Sequence, residues 1–198
     1  ARMSRMRIVG GRWRGRTIAP PPGTLTRPTT GRTRESLASM ALSSFGLDLS
    51  GVWVLDAFAG SGALGLELLS RGAKGCTFVE RDRRTAQLAR DNCRALGADQ
   101  AIARVVESDV FRFARNAVLP GAPFSLILLD PPYTMAGESV SSLVGLLRVS
   151  SQLSDAARVL YEHRRGRVGL ALEGARLVGK REHGISVVEL WEMGSADE

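Results

Sequence analysis

An apolar run of strand length, Ser125-Leu126-Ile127-Leu128-Leu129, ends on Asp130-Pro131-Pro132-Tyr133. The two prolines fix φ and remove two backbone donors, so the chain bends stiffly and its carbonyls are left to accept. A carboxylate, a carbonyl and a flat ring then share one corner. Such a corner suits the exocyclic amine of a planar base. That amine is a poor nucleophile, because its lone pair is delocalised into the ring. If Asp130 and the Pro131 carbonyl each accept one of its N–H bonds, the nitrogen moves toward tetrahedral geometry and its lone pair points at an electrophile. Asp130 need not be a strong base, since the nitrogen becomes acidic once alkylated. Placement and electrostatics carry most of such a reaction. Stacking on Tyr133 adds about 1–3 kcal/mol, enough to hold a base drawn out of its own stack. The plain alternative is a chance turn at a strand end.

A second constellation lies upstream. Val52-Trp53-Val54-Leu55-Asp56 reads as a strand, Ala57-Phe58-Ala59-Gly60-Ser61-Gly62 as a glycine loop, and the residues after it as a helix. Gly60 and Gly62 are expected to let a ligand approach the backbone closely, and the helix N-terminus offers a positive dipole end. Glu80 ends the next strand, where an acid accepts from a ribose diol. Gly60-x-Gly62-x-x-Gly65 also matches the dinucleotide pattern, so the loop alone leaves a nicotinamide cofactor open. The acids tilt against it. Asp56, just before the loop, would repel a pyrophosphate but suits an ammonium or sulfonium. Asp109, after the third strand, can accept from an adenine amine. Three acids at successive strand ends describe a pocket for a cationic adenosine compound, and S-adenosylmethionine is one. Taken singly, each acid is equally a solvated loop residue or a helix cap.

The elements that must place these groups alternate. Strands are expected at 52–56, 75–80, 102–107, 124–130 and 158–162, with helices at 62–71, 83–97, 110–118 and 139–149. Alternation of this kind implies an α/β fold with a mostly parallel, doubly wound sheet. A strand pair from Leu177 to Trp191, turned at Glu182-His183-Gly184, adds an antiparallel edge hairpin. Ahead of the sheet, Leu37, Met40, Ala41 and Phe45 recur at helical spacing over 32–45. Residues 8–18 read as a small glycine-turned hairpin with arginines on its exposed side. The expected organisation is a basic arm over 1–34 and a catalytic domain over 35–198.

Charge follows that division. Residues 1–34 hold nine arginines and no acid, while the rest holds 18 basic and 20 acidic side chains. A near-neutral body with a basic arm is a nucleic-acid footprint; a solvated leader is the alternative. No run of about 20 apolar residues exists to span a membrane. Cys76 and Cys93 lack metal-ligand spacing and read as core thiols in a reducing cytoplasm, and no metal cluster is visible. His163 and His183 read as structural.

Together these motifs resemble the class I S-adenosylmethionine-dependent amino-methyltransferases. Arg7-Ile8-Val9-Gly10-Gly11, Gly15-Arg16, Arg27-Pro28-Thr29 and Arg32-x-Arg34-Glu35-Ser36-Leu37 narrow this to the bacterial 16S rRNA guanine-N2 methyltransferases of the RsmD family, over roughly 6–192. The resemblance implies methylation of N2 of guanine 966 in the 16S rRNA of the small ribosomal subunit or its precursor. It implies that Asp56, Phe58, Gly60 and Gly62 line the methionine end of the cofactor, Glu80 the ribose, and Asp109 with Val110 the adenine. Asp130, Pro131, Pro132 and Tyr133 would hold the guanine. Arg7, Arg12, Arg14, Arg16, Arg27, Thr29, Arg32 and Arg34 would grip RNA. A cytoplasmic monomer with no obligate protein partner is expected.

Other readings remain on the sequence alone. A DNA adenine-N6 or cytosine-N4 methyltransferase shares the amine corner but needs a target-recognition segment, and none of that size is present. A non-catalytic RNA-binding assembly factor would have little use for intact acids, glycines and corner. A nicotinamide oxidoreductase has no hydride-transfer site after residue 133.

Overall fold

A computed structural model describes residues 6–21, 31–116 and 119–194. Arg27 and Thr29 lie outside the described residues, as do the first five residues and the end of the helix expected over 110–118. The chain opens with a two-stranded antiparallel ladder, β1 (Met6–Arg7) and β2 (Thr17–Ile18), joined through a 3-10 turn at Gly11–Trp13. Helix α1 (Gly31–Ser44) follows and runs across the boundary expected between 34 and 35. Then come β3 (Trp53–Asp56), α2 (Ala63–Ser70), β4 (Gly75–Glu80), α3 (Arg83–Leu96), β5 (Ala103–Glu107), α4 (Val110–Ala114), β6 (Phe124–Leu129) and α5 (Gly137–Val149). The chain closes with β7 (Leu153–Arg164), β8 (Ala175–His183) and β9 (Ser186–Met193).

The seven longer strands form one sheet in the order β5-β4-β3-β6-β7-β9-β8. Strands β3 to β7 are parallel, and β9 runs antiparallel between β7 and β8. The edge hairpin of the sequence reading is present, with its second strand on the inside. Parallel strands covered on both faces read as continuous apolar runs. Accordingly β6 alternates between two cores: Leu126 and Leu128 face the layer of α1, α2 and α3, while Ile127 and Leu129 face α4 and α5. Helix α3 sits where the sequence places it because both ends are signalled. Asp82 accepts from the Thr85 N–H at 2.8 Å, and Gly97 takes φ +74° to end the helix.

Two differences from the expected elements have local causes. Strand β7 begins five residues early, because its pairing with β6 jumps from Phe124↔Leu153 to Leu126↔Arg158 and the intervening residues 154–157 bulge. Helix α4 is a short turn capped by Asp109, which accepts from the Phe111 and Arg112 N–H groups.

The basic hairpin is fastened to the sheet domain. Ile8, Trp13 and Ile18 are buried in the same core as α1 and α2. Glu67 of α2, fully buried, accepts from the Val9 N–H at 3.0 Å and the Gly10 N–H at 2.8 Å and pairs with Arg71. Ser70 accepts from the Trp13 N–H and donates to the Gly10 carbonyl. Asn92 of α3 closes a second tie, accepting from the Ala19 N–H and donating to the Ala19 carbonyl.

Candidate active site

In an open parallel sheet, ligands bind beyond the carboxyl ends of the strands where strand order reverses. Here that point lies between β3 and β6, and a cleft of about 880 Å³ opens there. It gathers Phe58, Gly60, Glu80, Asp109 and Val110 from one half and Asp130, Pro131, Pro132 and Tyr133 from the other. Arg32 and Arg34 of α1 close one side, and His183 to Ser186 of the β8–β9 turn close another.

The glycine loop is held by its acids. Glu80 accepts from the Gly60 N–H at 3.0 Å through one oxygen and from the Asp82 N–H at 2.8 Å through the other. The carboxylate is therefore fixed at the cleft wall, with lone pairs left for hydroxyl donors. Gly60 takes φ +55°, and no atom lies within 4 Å of where its Cβ would stand, so the space beside it belongs to the cleft. Gly62 is needed for a different reason than ligand approach. It takes φ +80° at the N-cap of α2, and a Cβ there would meet Phe78 at 3.3 Å. Gly65 lets helix and strand approach, since its Cβ would stand 2.4 Å from Phe78.

Asp56 sits behind this loop and, like Gly62, is not part of the cleft wall. It is 4% exposed and accepts from the Gly65 N–H at 3.2 Å. Burial pushes its pKa up to about 7; the Gly65 N–H opposes the rise and the Glu80 charge adds to it. Asp109 lines the wall and also caps α4, as the helix-cap reading of that acid expects.

The amine corner follows directly on β6. Pro131 is buried, Asp130 and Pro132 are exposed, and Tyr133 is half-exposed with its ring on the cleft. The Pro132 carbonyl accepts from the Met135 N–H at 2.8 Å, which closes the bend. Asp130 through Tyr133 thus line the same cleft as Glu80 and Asp109.

The arginines divide. Arg7, Arg12, Arg14 and Arg32 are exposed, and Arg12 lies over the Trp13 ring at 4.3 Å. Arg16 donates to the Ala95 and Leu96 carbonyls at the end of α3. Arg34 is 4% exposed and donates to the Arg7 carbonyl at 2.9 Å, though it also lines the cleft.

Sequence reasoning missed Glu162 and set His183 aside. Both line the cleft, and Ser36 Oγ lies 2.9 Å from His183 Nε2. The available signal was an acid directly after the apolar Val159-Leu160-Tyr161 at the carboxyl end of a buried strand. His163 is buried, 3.5 Å from Glu189. Both cysteines are buried with raised pKa values, Cys93 to about 12, through burial, so neither is a thiolate at neutral pH. Among the described residues no group of three His, Cys, Asp or Glu side chains is placed to hold a metal, and no helix is long and apolar enough to cross a membrane.

The family profile described as conserved hypothetical protein 95 matches residues 6–192. The chain belongs to that family. It is 39% identical over 157 residues to the ribosomal RNA small subunit methyltransferase D of Escherichia coli strain K12, covering 79% of this chain and 74% of that protein. The solved yhhF structure from Escherichia coli superposes with a TM-score of 0.80 at 31% identity, over 97% of this chain and 99% of that one. An RNA methyltransferase from Salinibacter ruber, solved with S-adenosyl-L-homocysteine, shares the fold at 18% identity and TM-score 0.60, over 85% of this chain and 94% of that one. The fold is thus the Rossmann-like one of the S-adenosylmethionine-dependent methyltransferases.

Proposed function

We propose that this chain transfers a methyl group from S-adenosylmethionine to the exocyclic N2 of one guanine, position 966, in the 16S rRNA of the small ribosomal subunit or its precursor. One observation carries the reading. The Asp130-Pro131-Pro132-Tyr133 corner opens onto the same cleft as Glu80, Gly60 and Asp109. Those residues suit the donor. Glu80, fixed by the Gly60 N–H, takes the ribose hydroxyls, Asp109 and Val110 border the adenine, and Phe58 and the open side of Gly60 border the methionine end. When bound, the cofactor supplies an electrophilic methyl on a sulfonium. Asp56 acts from behind, holding the loop through the Gly65 N–H and placing its charge beneath a cationic ligand.

The chain's own part in the chemistry is placement. Asp130 and the Pro131 carbonyl each accept an N–H of the guanine amine, which concentrates the lone pair on nitrogen. Tyr133 stacks on the base and holds it out of the RNA. Asp130 takes the proton that the alkylated nitrogen releases. Arg7, Arg12, Arg14 and Arg32, exposed beside the cleft or on the hairpin, meet phosphates, so the N-terminal hairpin serves as the RNA-binding extension.

The test is product identity. Small subunits from cells lacking this chain are incubated with purified protein and labelled S-adenosylmethionine, and the nucleosides are separated by mass spectrometry. N2-methylguanosine at a single 16S site is expected. Label on adenine N6 of the rRNA would overturn the guanine reading, and transfer to duplex DNA in preference to subunits would replace it with a DNA amino-methyltransferase.

A further inference from the structure

We propose that Glu162 reads the ring N1–H of the target base and so makes the site specific for guanine, an inference that rests on the guanine reading above. Strand register places it. Leu129 of β6 pairs with Tyr161 of β7, so one residue further on each strand sets Asp130 beside Glu162. Neighbouring strands lie roughly 4.8 Å apart. Both residues line the cleft at the carboxyl edge of the sheet.

Glu162 differs from its neighbours in how it is held. Tyr161 and His163 stack on one another, ring centroids 5.0 Å apart, on one face of β7, which sends Glu162 to the other. It is 6% exposed yet lines both the cleft and a smaller cavity of about 270 Å³ under Pro131, Pro132 and Tyr133. Its Oε2 is buried and meets no hydrogen-bond donor among the described residues. A buried carboxylate oxygen without a donor is costly, and a ligand N–H removes the cost. Burial raises its pKa, while Ser186, His183 and His163 nearby favour the ionised form.

The chemistry of the four RNA bases then decides what fits. Guanine alone carries an exocyclic amine next to a ring N–H. Adenine and cytosine set their amine beside a ring nitrogen that accepts, and uracil has a ring N–H without an amine. Asp130 with the Pro131 carbonyl demands the amine. Glu162 Oε2 demands the adjacent N–H and opposes a lone pair on adenine N1 or cytosine N3. The pair of carboxylates selects guanine, and neither alone would.

Glu162→Ala and Glu162→Gln test this against wild type, with three readouts: methyl transfer to unmodified small subunits, S-adenosylhomocysteine affinity by calorimetry, and thermal melting. For Glu162→Ala, kcat/KM should fall about 10- to 100-fold, the loss of one hydrogen bond to a charged group. Cofactor-product affinity should stay within about twofold, since the residue acts on the base. Glu162→Gln retains one acceptor oxygen and should fall less, and it should melt no lower than wild type because a buried charge is gone. A wild type that methylates guanine N2 while Glu162→Ala does so equally fast overturns this inference and leaves the function standing. Parallel loss of product affinity and melting temperature in both variants overturns it too, since that is the mark of a structural residue. Wild-type product on adenine or cytosine overturns the guanine reading and this inference together.

Discussion

Burial holds the Asp56 carboxyl near pH 7 in the folded chain, against an ordinary value of 3.8, and this gives stability a pH dependence with a definite sign. Between those values the native state keeps a proton that the unfolded chain has lost. Stability therefore falls as pH rises from about 4 to about 7 and levels off above. A pKa displaced that far corresponds to about 4 kcal/mol once both states are ionised. Asp56→Asn keeps an acceptor for the Gly65 N–H and removes the charge. It should melt above wild type at pH 8, with the gap closing toward pH 4; parallel melting curves across that range would show that the carboxyl titrates normally. Asp130 is the opposite kind of acid, exposed and at the cleft. Asp130→Ala should lower kcat by about 10²–10³-fold, as loss of one transition-state hydrogen bond does, while calorimetry finds S-adenosylhomocysteine binding unchanged. Equal kcat in the two proteins would remove the amine corner from the mechanism.

Elements were legible where a period, a cap and a stop agreed. Helix α3 was readable from its inward period and the Gly97 stop, and strand β4 from the largely apolar run Cys76 to Val79. Strand β7 was readable only in its apolar second half, since its bulged start depends on a partner strand. Side chains that act across elements were opaque. Glu67 carries no signal in the sequence reading, yet it is fully buried and ties down the hairpin. Arg16 reads as a phosphate contact, yet it donates to the Ala95 and Leu96 carbonyls. Those carbonyls are at the negative end of α3, where a cation stabilises by about 1 kcal/mol. Arg16→Ala should thus lower the melting temperature by about 2–4 °C in a chain of this size. An unchanged melting temperature would return Arg16 to the RNA.

At the scale of the whole molecule, charge and shape must agree on where RNA lies. The excess positive charge sits in the first 34 residues, and the described part of that segment is docked on α2 and α3. The described part of the segment reaches the cleft, since Met6 and Arg32 both line its wall. A fixed cationic surface makes phosphate contacts of definite number, and each contact releases counterions on binding. Arg12 and Arg14 are exposed, and the Arg12 guanidinium lies over the ring of Trp13, which anchors the turn. Replacing both by alanine removes charge without removing any tie to the body. Binding to small subunits should weaken, and the slope of log K against log salt should flatten by about one for each lost contact. Melting temperature and S-adenosylhomocysteine affinity should stay at wild-type values, which separates this double variant from Arg16→Ala. An unchanged salt slope would mean that the hairpin's exposed face looks away from the RNA and that Arg32, at the cleft itself, carries the phosphate contacts instead.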